Sequence, residues 1–332
     1  MTATWIDDLQ ARLTLPLIAA PMFLVSGVDL VTTACAAGVV GSFPTVNCRT
    51  AEELDAWLKD IRARTDESAA RSGHAPAPWC ANLVVHKSNK RLMDDVGVLV
   101  RHRPELVIAS VGSPAPVIGP LHDAGARVLV DVATIRHAER AVVAGADGLV
   151  LLTAGAGGQT GWLNPLAFVR AVRAFYDGPL VLAGGVSDGA ALFAAEAMGC
   201  SLAYMGTKFI ATRESMAKDA YKDMLVDARA DDILLTRAFT GLETNMLRPS
   251  IIAAGLDPDN LAPRGAIDIA KDISIEGRAN RPERWRDIWS AGHSVSGVAE
   301  VCDVADLVAQ TRNEYESARN EFEIRRSNRR RR

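Results

Sequence analysis

The sequence predicts an α/β fold: a closed (β/α)8 barrel of the TIM type, with a helical C-terminal extension that covers the barrel mouth. Three observations favour it. Eight short apolar runs recur along the chain, each is followed by a stretch with helical periodicity, and 332 residues suffice for one large barrel. An open, doubly wound sheet is the structural alternative, but such a sheet has no reason to stop at eight evenly spaced units.

The eight predicted strands are apolar throughout, as expected for a parallel sheet that is covered on both faces. In chain order they are residues 16–21, 38–43, 79–85, 105–111, 127–133, 148–154, 179–185 and 202–207. Between them lie helix candidates such as "TAEELDAWLKDIRART" and "IRHAERAVVAGA", in which apolar residues return every three or four positions. These units assign residues 1–227 to the barrel.

After residue 227 the alternation of strand and helix ends. Residues 228–297 are predicted to form a helical and loop insertion over the mouth, with 236–255 and 281–300 mainly helical. Residues 298–324 are predicted to form a C-terminal helix that packs on the barrel. The basic residues 325–332 are predicted to be a disordered tail, with RNA or membrane contact as a minor alternative.

Composition excludes several classes of protein. The 37 basic and 40 acidic side chains give a net charge of −3, which argues against a general nucleic-acid binder. Five scattered cysteines without a CxxC pair argue against a zinc site or a disulfide framework, and no metal is expected. With no signal-peptide pattern and no apolar run of about 20 residues, the sequence predicts a cytoplasmic protein with no membrane contact.

Small residues follow the predicted strands, on the face where barrels carry their active sites. The loops after strands seven and eight are the usual phosphate site of this fold, and here they contain Gly184, Gly185, Gly206 and Thr207. These glycines could instead serve only tight turns. Both loops together favour a cofactor that carries a phosphate and an aromatic ring system.

Motifs near the strand ends resemble, in order and spacing, the nitronate monooxygenase family, formerly called 2-nitropropane dioxygenases. They are "AAPMFLVSG", "NLVVHKSN", "GAGGQTG", "LAGGVSDG", "YMGTKFIAT" and "WSAGHSVSG". The resemblance implies an FMN-dependent barrel, and a homodimer is plausible on the same ground. It places Pro21 and Met22 beside the isoalloxazine ring and Asn82 at its polar edge. The full set of cofactor-binding residues expected is Ala20, Pro21, Met22, Asn82, Gly157, Gly158, Gln159, Ala183, Gly184, Gly185, Gly206 and Thr207.

One position departs from the family. Where the family usually has Gly-Gly-His, this chain has Gly157, Gly158 and Gln159. Glutamine cannot hold a proton near neutral pH, so Gln159 cannot act as a general base. We expect it to donate a hydrogen bond to a nitro or carbonyl oxygen of the substrate; alternatively, it only satisfies loop backbone groups.

Two histidines are candidates for a replacement base. His293, in "AGHSVSG", would lie over the mouth if the last loop folds as the resemblance implies, but an ordinary surface histidine is the alternative reading. His86 is expected on the loop before the next helix, paired with a carboxylate. We therefore predict Gln159 and His293 as the catalytic residues.

Three functions remain open from the sequence. The leading one is oxidation of preformed alkyl nitronates with O2 through one-electron flavin chemistry, with weak or no activity on neutral nitroalkanes. The second is NAD(P)H-dependent reduction of quinones or α,β-unsaturated carbonyl compounds on the same flavin. The third is a catalytically silent flavin-binding barrel.

Overall fold

Eight parallel strands close into a barrel in the computed structural model, which describes residues 4–262, 264 and 287–330. The last barrel strand returns to pair with the first. The predicted TIM barrel is confirmed and the open-sheet alternative is wrong. The barrel strands are β1 (Leu17–Ala19), β2 (Val40–Pro44), β3 (Trp79–Val84), β4 (Leu106–Ser110), β5 (Arg127–Val132), β6 (Gly148–Leu152), β8 (Leu180–Ala183) and β9 (Leu202–Met205).

Helices alternate with these strands and cover the barrel from outside. Side-chain caps define several helix starts: the Asp188 carboxylate, for example, accepts from the Ala191 N–H. The helices are α1 (Trp5–Gln10), α2 (Val28–Ala36), α3 (Ala51–Ser72), α4 (Leu92–His102), α5 (Ala115–Asp123), α6 (Ile135–Val143), α7 (Pro165–Arg173), α8 (Gly189–Ala197), α9 (Thr207–Ile210), α10 (Asp219–Asp227), α11 (Arg248–Ala253) and α12 (Val304–Arg330).

The interior of the barrel is filled by alternate residues of each strand, because strand side chains point to opposite faces in turn. One apolar cluster contains the inward residues Ile18, Val40, Leu129 and Val150, among others, together with Leu9 of α1. Helix α1 and the turn that follows it are tied to the segments just before β9 and β4. Gln10 donates to the Ser201 carbonyl, and Arg12, just after the helix, pairs with Glu105. Helix α1 therefore closes the barrel at the N-terminal ends of the strands.

A small antiparallel sheet, in the order β10-β11-β7, lies outside the barrel sheet. It consists of β7 (Gly158–Gln159), β10 (Ile233–Thr236) and β11 (Thr244–Leu247). The prediction that residues 236–255 are mainly helical is therefore wrong for its first half, since only α11 is helical there. Of residues 281–300, 281–286 lie outside the described residues, and 287–300 contain a single 3-10 turn at His293–Gly297.

The C-terminal helix begins and ends later than predicted, because α12 runs from Val304 to Arg330. Residues 325–330 are helical and not disordered, while 331–332 lie outside the described residues. The helix packs closely on α8: a Cβ placed on Gly189 would lie 2.0 Å from the Tyr315 backbone nitrogen. Within the part of the chain that is described, no helix combines the length and apolar character needed to cross a membrane.

Candidate functional site

A cavity of about 260 Å³ opens at the carboxyl ends of the barrel strands. Every residue predicted to bind the cofactor lines this cavity: Ala20, Pro21, Met22, Asn82, Gly157, Gly158, Gln159, Ala183, Gly184, Gly185, Gly206 and Thr207. Five different segments of the chain thus meet at one place, which is where a TIM barrel carries its active site.

The loop after β6, residues 153–161, is rich in glycine because other backbone approaches it closely. A Cβ on Gly157 would lie 2.7 Å from the Gly292 nitrogen, and one on Gly184 would lie 2.4 Å from the Thr153 hydroxyl oxygen. Gly184 also has a φ of +121°, which L side chains rarely adopt. The loop is held from the other side by Asn245 of β11, whose amide donates to the carbonyls of Ala154 and Ala156 at 3.0 and 2.7 Å.

One end of the cavity offers backbone donors. No backbone hydrogen bond between described residues uses the N–H groups of Gly185, Gly206 or Thr207. A Cβ on Gly185 would meet no atom within 4 Å, so the space beside this residue is open. The Thr207 hydroxyl oxygen accepts a hydrogen bond from the Gly292 N–H at 3.0 Å and can still donate its own hydrogen. Such an end suits a phosphate group.

The base of the cavity carries three polar side chains whose outer atoms have no partner. Asn82 Nδ2, Asp131 Oδ1 and the Tyr204 hydroxyl are buried, and none forms a hydrogen bond with a described residue. The other amide atom of Asn82, its oxygen, accepts from the Ser110 hydroxyl at 3.3 Å. Because buried polar atoms are nearly always paired, three orphans on one cavity indicate that a polar ligand completes them.

Burial changes the pKa values of the side chains at the bottom of the cavity. It raises the pKa of Asp131 to about 7, and no neighbouring cation opposes the effect. The pKa values of Tyr204 and Cys80 are also raised by burial, and further by the nearby Asp131 carboxylate, so both groups are neutral at physiological pH.

Apolar and aromatic side chains wall the mouth of the cavity. Met22 and Phe23 line one side. On another side Tyr221 and Trp289 stack, with ring centroids 4.9 Å apart and planes 10° from parallel. The Tyr221 hydroxyl donates to the Ser290 carbonyl, which fixes this ring in place. The mouth can therefore accept a flat, partly apolar molecule.

Gln159 and His293, the two predicted catalytic residues, are not equivalent in the structure. Gln159 pairs with Thr244 through β7 and lines the cavity, and its side-chain amide forms no hydrogen bond with any described residue. The alternative in which this amide only satisfies the loop backbone is therefore not what the structure has. His293 has an exposed side chain beside Gly155 and is absent from the cavity lining.

His86 also differs from expectation. Its Nδ1 lies 2.8 Å from the Ser88 hydroxyl, and among the described residues no carboxylate forms an ion pair with it. Among the described residues that line the cavity there is no histidine, and the titratable side chains are Asp131, Tyr204 and Tyr221.

Sequence reasoning missed Asp131, Tyr204 and the Tyr221–Trp289 pair. For Asp131 a signal was present, since it is the one acidic residue inside the apolar run "RVLVDVA". Burying an acidic group inside a strand that is covered on both faces is unfavourable, so its presence there indicates a functional role. The aromatic pair joins residues 68 positions apart, which no local pattern reveals.

Fold and cavity together define an α/β barrel with a ligand site in the position typical of barrel enzymes. The sequence profile of the nitronate monooxygenase family matches residues 8–312. A nitronate monooxygenase of Pseudomonas aeruginosa is 31% identical over 262 residues, covering 68% of this chain and 74% of that protein. One of Paraburkholderia phytofirmans is 27% identical, covering 91% of this chain and 93% of its own length.

The chain therefore belongs to the nitronate monooxygenase family, whose members are flavoproteins, and it is a flavin-dependent oxidoreductase. The resemblance found in the sequence is confirmed. Among solved structures, a nitroalkane oxidase from Streptomyces ansochromogenes superposes with a TM-score of 0.76 at 25% identity, over 95% of this chain and 99% of that one. FabK from Thermotoga maritima, at 21% identity and a TM-score of 0.76, covers 97% and 99% and shares the fold.

Proposed function

We propose that the cavity binds FMN and that the protein oxidises alkyl nitronates with O2. The residues present fit this cofactor. Backbone N–H groups of Gly185, Gly206 and Thr207 suit its phosphate, and the flat mouth suits its ring system. The ring's polar edge offers carbonyl acceptors and one N–H donor, which match the unpartnered atoms of Asn82, Asp131 and Tyr204.

When bound, FMN supplies the redox chemistry: it takes electrons from the substrate and passes them to O2. The chain's own task is to bind, orient and exclude water. The apolar mouth around Met22, Phe23 and Trp289 favours a small alkyl group. The Gln159 amide, which is free to donate, would orient a nitronate by a hydrogen bond to one of its oxygens.

The choice of substrate rests on one observation: Gln159 contributes an amide to a cavity whose described lining contains no histidine. A neutral nitroalkane must lose an α-proton before it can be oxidised, and this requires a base at the substrate. A nitronate has already lost that proton. Among the titratable lining residues, Asp131 lies at the base of the cavity, and the two tyrosines have raised pKa values and remain neutral.

A second candidate is reduction of a conjugated carbonyl compound, or the reverse dehydrogenation that forms one, with a nicotinamide as redox partner. One observation favours it: a relative in Mycobacterium tuberculosis, 26% identical over 71% of this chain and 64% of its own length, is a carboxyl-CoA dehydrogenase with a fused-ring substrate. A donated hydrogen bond from Gln159 suits a carbonyl oxygen as well as a nitro oxygen.

The test is an anaerobic comparison on the purified holoenzyme, with ethylnitronate, nitroethane and NADH or NADPH added in separate cuvettes. We expect bleaching of the flavin by ethylnitronate, with kcat/KM for nitroethane lower by about 100-fold or more, which is the usual contribution of a general base. Equal rates with nitroethane would contradict the assignment. Bleaching by the nicotinamide alone would favour the second candidate.

Two variants sharpen the test. Gln159→Ala should lower kcat/KM for ethylnitronate by about tenfold to 100-fold, because a donor to the developing charge is lost. Gln310→Ala on α12 is the matched control, since Gln310 is exposed and bonds only to Glu314. Unchanged turnover in Gln159→Ala would remove this residue from the reaction. The cytoplasmic location and the homodimer expected from the sequence stay predictions.

A further inference from the structure

Asp131 is the one acidic residue in the eight barrel strands, all of which the structure describes. On β5, Val128, Val130 and Val132 pack in the outer core against the helices, whereas Leu129 belongs to the cluster inside the barrel. With a period of two, Asp131 points inward, one layer above Leu129 and towards the cavity that it lines.

The described residues around Asp131 include no compensating charge. Its neighbours on β6 are Val150, opposite in register, and Leu152, and across the barrel it faces Cys80 of β3 and Tyr204 of β9. The side of β4 contributes the uncharged Ser110. No lysine, arginine or histidine is among the described residues that line the cavity. An ionised carboxylate there would be unpaired and poorly solvated.

We propose that Asp131 is a cofactor-positioning residue that holds the polar edge of the flavin ring as an uncharged carboxylic acid, acting with Asn82 and Tyr204. The inference rests on the proposed FMN site. In the neutral form the group can donate one hydrogen bond to a ring carbonyl or ring nitrogen and accept another. Oδ1, which has no partner in the free protein, then gains one. The ring then covers the carboxyl group and removes its remaining contact with water.

Covering the group makes flavin binding depend on pH. Burial already raises the pKa of Asp131 to about 7 in the free protein, and the covering ring disfavours the charged form further. The pKa in the complex is then higher than in the free protein, so binding takes up a proton above pH 7. Affinity is therefore highest below the pKa of the free protein and falls as pH rises through the interval between the two pKa values.

The experiment measures the Kd of the deflavinated protein for FMN, by quenching of flavin fluorescence, from about pH 6 to about pH 9. For the natural chain we expect Kd to rise by about tenfold over this range, the effect of about one pKa unit. Asp131→Asn keeps the shape and a donor but does not titrate. Its Kd should change with pH by less than about twofold beyond the change caused by the phosphate.

Riboflavin, which has no phosphate, separates the two titrations. The tenfold change should persist with riboflavin in the natural chain and vanish with riboflavin in Asp131→Asn. Tyr204→Phe should keep the pH dependence while it weakens binding at every pH. Infrared spectra of the free protein near pH 6 should show a buried neutral carboxyl band that Asp131→Asn lacks, which tests the charge state even if flavin binding is weak.

The outcomes are separable. A Kd that is independent of pH in the natural chain, or one that falls as pH rises, would overturn the role of Asp131 and leave the FMN site standing. Absence of FMN binding by the folded protein at any pH would overturn both. A pH dependence that is identical in Asp131→Asn would assign the titration to another group and refute the inference.

Discussion

The two ends of the barrel interior are built by the same strands but differ in polarity. The lower layers, around Ile18, Leu129 and Val150, are apolar and are closed by α1. The uppermost layer carries Asn82, Asp131 and Tyr204, whose outer atoms are buried without partners. On β5, Leu129 in the apolar layer and Asp131 in the polar layer are only two positions apart. Packing alone accounts for the lower end, whereas the upper end leaves buried polar atoms that the proposed cofactor would complete.

The largest difference between the two layers is expected when each of the two inward residues of β5 is replaced by the residue type of the other, in separate variants. Leu129→Asp places an unpaired carboxyl group in the closed layer, and we expect it to lower the free energy of unfolding by at least about 4 kcal/mol. Asp131→Leu should fold with unchanged or higher stability at pH 8 but should bind FMN poorly. Chemical denaturation measures the first effect and a flavin titration the second. Equal stability losses in both variants would show that the layers do not differ.

The pH dependence of stability tests the same contrast without ligand. Asp131 has its pKa raised from 3.8 to about 7 by burial, so the folded state binds this proton more tightly than the unfolded state does. Its contribution to stability is full below about pH 4 and is lost as pH rises to about 7. The free energy of unfolding of the natural deflavinated chain, relative to Asp131→Asn, should fall by up to about 1.4 kcal/mol per pH unit in that interval. A constant difference between the two would contradict the raised pKa.

A smaller effect is expected at the phosphate end. Thr207→Val removes the acceptor of the Gly292 N–H and a donor to the cofactor, which should lower stability by about 1–2 kcal/mol and weaken FMN binding by about tenfold. Riboflavin affinity should stay unchanged. Thr212→Val is the matched control, since the buried Thr212 hydroxyl bonds only to the Phe209 carbonyl and does not line the cavity. An equal loss of riboflavin affinity in Thr207→Val would place the phosphate elsewhere.

The smallest effect is expected at His293. Its side chain is exposed and outside the cavity lining, so His293→Ala should change kcat/KM for nitronate by less than about twofold, as surface substitutions usually do. The measurement is steady-state turnover across the pH range. A drop of about 100-fold would restore His293 as the base that the sequence suggested.

Features that depend on neighbouring residues could be predicted from the sequence, whereas features that depend on pairing between distant residues could not. The eight barrel strands are predicted correctly because each is a continuous apolar run, and the cavity residues because each follows such a run directly. Strand β7 could not be found, since Gly158 and Gln159 become a strand only by pairing with β11, about 85 residues later. Residues 236–255 look helical locally, but pairing between β10 and β11 overrides that preference.

The position of the His293 side chain could not be predicted from the sequence for a similar reason. Its position depends on how the turn at His293–Gly297 is anchored, through the His293 N–H to the Gly155 carbonyl and the Gly292 N–H to Thr207. Those contacts direct the backbone of this segment towards the cavity and leave the imidazole outside. A motif fixes the order of residues, but a side chain's direction depends on such backbone anchors.

Closure of the barrel base by α1 has a kinetic consequence. Helix α1 packs at the N-terminal ends of the strands and the cavity lies at their carboxyl ends, so a flavin seated on the Asp131 layer would present its free ring face towards the mouth. An electron donor and any electron acceptor larger than O2 would then have to occupy the same place in turn. Steady-state kinetics with two such substrates should give parallel double-reciprocal lines, with each substrate competing against the other at high concentration.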